Sequence, residues 1–386
     1  MRTRAHLSTA LLALTTVLLP GGSASATTAA DPNVTVAFVA NTTLAPGVIL
    51  SHWNVTNPTT SHRSTCYILR ASVGAGATAK APGLVTSGRW PLIGTANTAG
   101  LFAAVNGDYF DYATGAPIHP WIQDSTPMMV TSDHLGVLGT GTDGVLREAD
   151  VWLEGRVVSG RKSYALAGLN TPFSPSRPTL YTPRWGAAAR PTARGAVEVV
   201  IRRNKVVAVH TAITSTAVPS DGLILDGPRA VLGLPAVGST IYTARAVRTS
   251  AKNTSGVVVP FRSAIGHGLR LISGGTVNDW SAGDSSARPR TAVGVASGNG
   301  ANTLLLIACQ GDDSTAGGYN GLGDNELTSF LKRTTLGVTS AVLLDGGGST
   351  TLAARLPGHT TMSYVVTPAG DAYTRPTADA IGITAP

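Results

Sequence analysis

Ala341-Val342-Leu343-Leu344-Asp345-Gly346-Gly347-Gly348-Ser349 reads as an apolar strand broken abruptly by one acid and three glycines. Upstream, Gly323 to Gly337 predicts a helix: a Gly cap, Glu326 at the third position, an apolar stripe of Leu327, Phe330 and Leu331, and a Gly stop. Before it, Leu304 to Cys309 is an unbroken apolar run suited to a central strand, and Thr291 to Val295 alternates as a half-buried one. Strand, helix, strand predicts one βαβ crossover within a larger mixed sheet.

Residues 35–105 read as short strands separated by Gly, Pro, Ser and Thr, among them Cys66-Tyr67-Ile68-Leu69. Residues 170–195, rich in Pro and Arg, read as an extended connection or exposed loop. Val197 to Ile201, the turn-like Arg203-Asn204, and Val206 to Val209 predict a hairpin. No repeat of 20–50 residues is visible, which argues against a solenoid or propeller. The 386 residues are 43% apolar, only 13% charged and 5% aromatic, with 45 Gly and 23 Pro. That balance excludes a disordered chain, a coiled coil and a collagen-like repeat. The expectation is an α+β fold: a mixed, mostly antiparallel sheet core with few helices, in a single large domain.

Arg2 and Arg4 precede an apolar stretch from Leu7 to Pro20 and a small-residue exit, Ala24-Ser25-Ala26. This pattern predicts a secretory signal peptide over residues 1–26, with the domain over 27–386 and a secreted, extracellular or wall-associated product. No later apolar run reaches the length of a membrane-spanning helix. Cys66 and Cys309 are the only cysteines. In an exported protein they form one disulfide closing a long loop, or stay as two buried thiols. Net charge is +8, and +6 without Arg2 and Arg4. The 24 Arg against 5 Lys fit GC-rich coding or an anionic substrate. No dense basic run interleaves with aromatics, so nucleic acid is not an expected partner.

Several stretches carry candidate chemistry. Asp345 emerges at the end of a buried strand, where neighbours tune its protonation, and Gly346, Gly347 and Gly348 could form an anion nest beside Ser349. Asn106-Gly107-Asp108-Tyr109-Phe110 places polar groups between an apolar strand and two aromatics; a hairpin turn is the competing reading. Arg290 opens the strand at Thr291, and a guanidinium there can hold phosphate or carboxylate. Asp312-Asp313 could bind a cation or shape a loop. Leu225-Asp226-Gly227 only echoes Leu344-Asp345-Gly346. Glu326 reads more simply as a helix-start carboxylate. Of the eight His, His119 and His267 lie near these stretches, and no spacing resembles a metal-ligand set. G-x-S-x-G, Walker A and H-E-x-x-H are absent.

From residue 45 onward, these segments occur in an order that resembles the phosphodiester glycosidase family. The matching text is Ala104-Val105-Asn106-Gly107-Asp108-Tyr109-Phe110, Leu180-Tyr181-Thr182-Pro183-Arg184-Trp185-Gly186, Pro289-Arg290-Thr291-Ala292-Val293-Gly294-Val295, Asn325 to Leu331, Leu344 to Thr350, and Arg375-Pro376-Thr377-Ala378-Asp379-Ala380. Asp108 stands where the family commonly has a second Gly, and the acidic loop from Gly311 to Asn320 is expanded.

The resemblance implies hydrolysis of a sugar-1-phosphodiester at the anomeric carbon. It points to Asp345 as base or nucleophile, and to Arg290 with the Gly346 to Gly348 amides as phosphate holders. Asn106 and Asp108 would position sugar hydroxyls, with Gly107, Ser349, Asp312 and Arg375 completing the substrate contacts. The substrate is expected to be a carbohydrate phosphodiester of cell wall or capsule. This chemistry requires no cofactor, while a divalent cation stays possible; sequence leaves the oligomeric state open. Two other readings stand beside it: a non-catalytic polysaccharide-binding protein, and a metal-dependent P–O phosphodiesterase using Asp312 and Asp313.

Overall fold

The computed structural model describes residues 31–385 apart from 32, 75–76, 87–88, 187, 192, 215, 279–282, 299–300, 312–319 and 368–374. The leader read at residues 1–26 and the acids Asp312 and Asp313 therefore lie outside the described residues. Strands dominate, in three sheets whose pairings are antiparallel with few exceptions, so the α+β expectation holds. Among the described residues no helix is long and apolar enough to cross a membrane.

The first sheet has eight strands. Its order is Thr35–Ala45, Val48–Asn57, His62–Ser72, Ala301–Cys309, Arg290–Gly298, Val338–Leu343, Leu269–Ser273 and Thr276–Val277. The apolar run around Leu304 is buried on both faces. Leu304, Leu306 and Ala308 join the large central core, while Leu305, Ile307 and Cys309 pack with Leu327, Phe330 and Leu331 of the helix Asp324–Arg333. Successive residues of the run from Leu304 to Cys309 point to opposite faces, and because both faces are buried none of them is polar. The crossover runs from Ala301–Cys309 through the helix to Val338–Leu343. Arg290–Gly298 lies between these two strands and pairs antiparallel with both, which leaves them parallel to each other.

Glu326 is the helix-start carboxylate the sequence indicated. Its Oε2 accepts the Gly323 N–H at 2.8 Å, and its Oε1 accepts from Asn57 Nδ2 and Thr60 Oγ1, each at 2.7 Å. The helix start is thereby tied to the second strand of the sheet. Cys66 and Cys309 face each other in register on neighbouring strands and form a disulfide across 243 residues. The structure thus chooses between the two readings the sequence left open.

The largest sheet has twelve described strands and holds the predicted hairpin. Ala196–Arg202 pairs with Lys205–His210, and Arg203 and Asn204 both take positive φ, the two-residue turn that matches strand twist. The Pro- and Arg-rich connection is less exposed than expected, because Trp185 and Arg190 are buried. Arg190 donates to Glu198 and to Asp226 (2.9 Å) inside the sheet. Burial first, then the Glu198 charge, lifts the Asp226 carboxyl to about 7 against the pull of Arg190. Asp226 is thus a partner in a buried ion cluster.

The third sheet has the order Met362–Val366, Leu352–Arg355, Leu101–Asn106, Ala380–Thr384 and Ala79–Lys80. All three sheets contribute to one core: Leu69, Leu306 and Val293 from the first, Leu138 and Trp121 from the second, Val105 and Ile381 from the third.

The double variant Cys66→Ala/Cys309→Ala should lose about 2–5 kcal/mol of stability. Urea unfolding should show this as a lower midpoint, and reductant should lower the wild-type midpoint while leaving the variant unmoved.

Candidate functional site

Strand ends from the first and third sheets meet at one point, and an asparagine joins them. Asn106 closes its strand with no exposed surface. Its Oδ1 accepts from Thr291 Oγ1 (2.8 Å) and the Thr351 N–H (3.0 Å), and its Nδ2 donates to the Asp345 carbonyl (2.7 Å). The backbone repeats these links. Asp345 N–H donates to Gly107 O (3.0 Å), Gly107 N–H to Asp379 O (2.9 Å), and Gly268 N–H to Leu343 O (3.2 Å). A Cβ on Gly107 would collide with the Asp379 carboxylate, so that position admits only glycine. The hairpin-turn reading of Asn106-Gly107 is not what forms; the pair is a junction.

Around this junction stand three carboxyls. Asp108 is buried, and its Oδ1 lies 2.8 Å from His119 Nδ1 and accepts the Tyr109 N–H at 2.7 Å, while Oδ2 accepts the His119 N–H. Its own N–H donates to Asp379 Oδ1 at 2.9 Å. Asp379 is buried and its Oδ2 has no partner among the described residues. Burial, followed by the Asp108 charge, drives the Asp379 carboxyl well above the usual carboxylate range.

Asp345 is half-buried and rises to about 6. Burial is the main cause; Asp108 adds to it, while the Ser349 hydroxyl and the Arg375 guanidinium oppose it. Tyr109 is pushed to about 12 by burial and by Asp345 and Asp324, with Arg290 pulling the other way. Its ring thus lies within the fields of Asp345 and Arg290 together, and those two groups share one side of the molecule. His119 is held above its ordinary value, because the Asp108 hydrogen bond and charge outweigh burial.

The structure corrects four assigned roles. Arg290 is almost wholly buried and spends its donors on the protein. Nε donates to Leu322 O (2.8 Å), Nη2 to Ser286 O (2.9 Å) and Asp284 O (3.2 Å), and Nη1 lies 3.0 Å from Asp324 Oδ1. It is a scaffold cation whose fork is occupied. The glycine run is likewise no three-amide nest. Gly347 takes a φ of +57° and starts a tight turn whose N–H groups are used: Gly347 to Pro289 O (2.8 Å), Ser349 to Gly346 O and Thr350 to Gly347 O. The Gly346 N–H supports the Asp345 carboxylate, and among the described residues Gly348 alone of the three glycines has no hydrogen bond from its N–H. Asn106 and Asp108 have no exposed side-chain surface for a sugar hydroxyl to reach. Asp108 instead orients His119, whose ring is 19% exposed.

Arg375, unlike Arg290, lies beside the glycine run. Its guanidinium lies against Gly348, where any Cβ would strike Nη2, and it forms no ion pair among the described residues. Ser349 is buried beside Asp345. Asp312 lies outside the described residues. Sequence reasoning singled out neither Asp379, Tyr109 nor Asp324. Asp379 sat inside a quoted motif, and the available signal was an acid directly before the apolar strand Ala380–Thr384. Among the described residues no group of three His, Cys, Asp or Glu is placed to hold a metal ion.

The phosphodiester glycosidase family model matches residues 195–384. No curated protein sequence matches the chain. Among solved structures, a hypothetical protein from Synechocystis superposes with a TM-score of 0.70 at 21% identity, over 88% of this chain and 62% of that one. This chain therefore spans less than two thirds of that protein. A Burkholderia pseudomallei K96243 protein whose name describes it as exported gives 0.64 at 18% identity, over 84% and 74%. The zebrafish N-acetylglucosamine-1-phosphodiester alpha-N-acetylglucosaminidase catalytic domain, auto-inhibited by its pro-peptide, gives 0.45 at 15%, over 92% and 89%, too low to carry an argument. At these identities the first two likenesses speak to fold alone.

A carboxyl whose folded pKa is raised favours folding fully below its unfolded value near 3.8, and that contribution is lost as pH rises toward the folded value. Asp379→Asn keeps an oxygen for the Asp108 N–H and removes the titration. Its melting temperature relative to wild type should therefore climb as pH rises above about 4. A difference that stays constant with pH would mean that Asp379 holds no extra proton.

Proposed function

Because residues 195–384 carry the phosphodiester glycosidase family's segment, we propose that this chain is an exported hydrolase that breaks the bond between an anomeric carbon and a phosphodiester oxygen. The observation that carries the reading is that Asp345, a half-buried carboxyl held at about 6, lies within the field of the Arg375 guanidinium, which rests against Gly348 of the turn that follows it. A carboxylate and a guanidinium without an ion pair among the described residues, brought side by side, suit a substrate that is cationic at carbon in the transition state and anionic at phosphate.

Ordinary glycosidases use a second carboxyl to protonate a poor alkoxide leaving group. The phosphate monoester released from the diester leaves as a stable anion, so one ionised carboxylate suffices. In this scheme Asp345 acts at the anomeric carbon, as base toward water or as nucleophile. The carbon–oxygen bond breaks with its electron pair going to the phosphate, water oxygen ends on the sugar, and one proton passes to solvent. Arg375 and the Gly348 N–H receive the phosphate charge. Arg290, tied to Asp324, fixes the loop under that turn. His119, held protonated to higher pH by Asp108, adds a second positive group at the rim. The substrate class is a sugar-1-phosphodiester of wall or capsule polymers, reached through the leader at residues 1–26.

With a sugar-1-phosphate p-nitrophenyl diester, Asp345→Asn should lower kcat by about 10³-fold or more, comparable to removing a key transition-state group. In ¹⁸O-water the label should enter the reducing sugar; label in the phosphate would instead mean P–O cleavage. Turnover should also rise with pH through an acid limb near 6, where Asp345 ionises. An activity flat from pH 5 to 7 would remove Asp345 from the reaction.

A further inference from the structure

Away from the carboxyl cluster, three cavities lie in series along the strand Ile241–Thr249 and its partner Leu146–Ser159. Their volumes are about 640, 350 and 200 Å³. The first and second share Leu153 and Arg245, and the second and third share Pro127 and Val247. Together they follow the strand from Ala244 to Thr249, about 17 Å at ~3.3 Å per residue.

Charge along this groove is one-sided. Arg156, Arg177, Arg184, Arg245 and Arg248 line it, against the single acid Glu154. Glu154 is engaged by Arg248 at 2.8 Å, and both are exposed. Arg177 has only a 4.0 Å approach to the exposed Asp133, and Arg156 donates to Ser163. Arg184 and Arg245 are exposed and form no ion pair among the described residues. Trp152 adds a flat apolar wall, stacked on His134 with centroids 3.9 Å apart. None of these residues belongs to the carboxyl cluster.

We propose that this groove binds a strand of phosphate-bearing glycan, with sugar faces against Trp152 and phosphates on the arginines. Five guanidinium groups to one carboxylate give the charge complementarity. Arginine is the side chain whose planar fork matches phosphate, and a concave wall focuses the field. The groove does not resemble a nucleic-acid track, which needs successive aromatic platforms for bases; Trp152 is one ring, and His134 covers one of its faces. Holding a polymer here would raise its effective concentration at a reactive centre elsewhere on the same chain. The binding itself does not depend on the reaction proposed above.

The test is fluorescence anisotropy of the full chain with a labelled phosphomannan oligosaccharide. Wild type should bind with an affinity that falls as salt rises. Arg184→Gln/Arg245→Gln should bind about tenfold more weakly with an unchanged melting temperature, while Arg203→Gln, on the hairpin turn outside the groove, should bind as wild type. Equal binding by the double variant would overturn the proposal. So would competition by neutral mannan as strong as by phosphomannan, or displacement of the probe by oligothymidylate at lower concentration than by phosphomannan.

Discussion

One buried amide holds the molecule's centre together. Asn106 has no exposed surface, so each polar atom it leaves unpaired would cost the full desolvation of that group. Satisfying it requires Thr291 from one sheet, Thr351 from the segment after the glycine run, and the carbonyl of Asp345 to sit within about 3 Å at the same time. A slip of one residue in any of these strands would turn its side chains to the opposite face and leave the amide unpaired. The placement of Asp345 relative to Asp108 and Asp379 follows from that requirement.

What gathers there is more negative charge than a buried volume accepts. Burial raises Asp345 and Asp379, and the field of Asp108 raises both further. The fold distributes the strain unequally: Asp108 is satisfied by His119 and two backbone N–H groups, Asp379 keeps an oxygen without a partner among the described residues, and Asp345 is half-exposed with Arg375 nearby. Two arginines divide the work that one was expected to do. Arg290 is neutralised by Asp324 and by carbonyl oxygens and fixes a loop, whereas Arg375 faces the acid that can still change its charge.

The largest sheet offers a contrast. Asp226 is also lifted, to about 7, and Arg190, Glu198 and Asp226 are as buried as the junction. Yet there the arginine's donors are taken by two acids and by the carbonyls of Thr214 and Thr216. A displaced pKa marks a reactive centre only where solvent or a ligand can reach the group. By that measure the proposal rests on Asp345, which is half-exposed, and not on Asp226, which has no exposed surface.

Much was legible in the chain order. The doubly buried strand at Leu304, the capped helix at Glu326, the Arg203-Asn204 turn and the glycine break after Leu344 all rest on local periodicity or backbone freedom, which neighbouring residues suffice to specify. Those same signals placed Asp345 at a strand end, while Arg375 and Asp379 came into view only through the motif that the family resemblance picked out. What local sequence cannot encode is which donors are already taken. Arg290 looked available until Asp324 and Leu322 folded over it, and Asp108 looked open until His119 closed on it. The Cys66–Cys309 pairing, the neutralised arginine and the junction of two sheets at Asn106 arise between residues thirty or more positions apart. They were settled only by packing, because the cost of burying a charge depends on the neighbours that arrive with the fold.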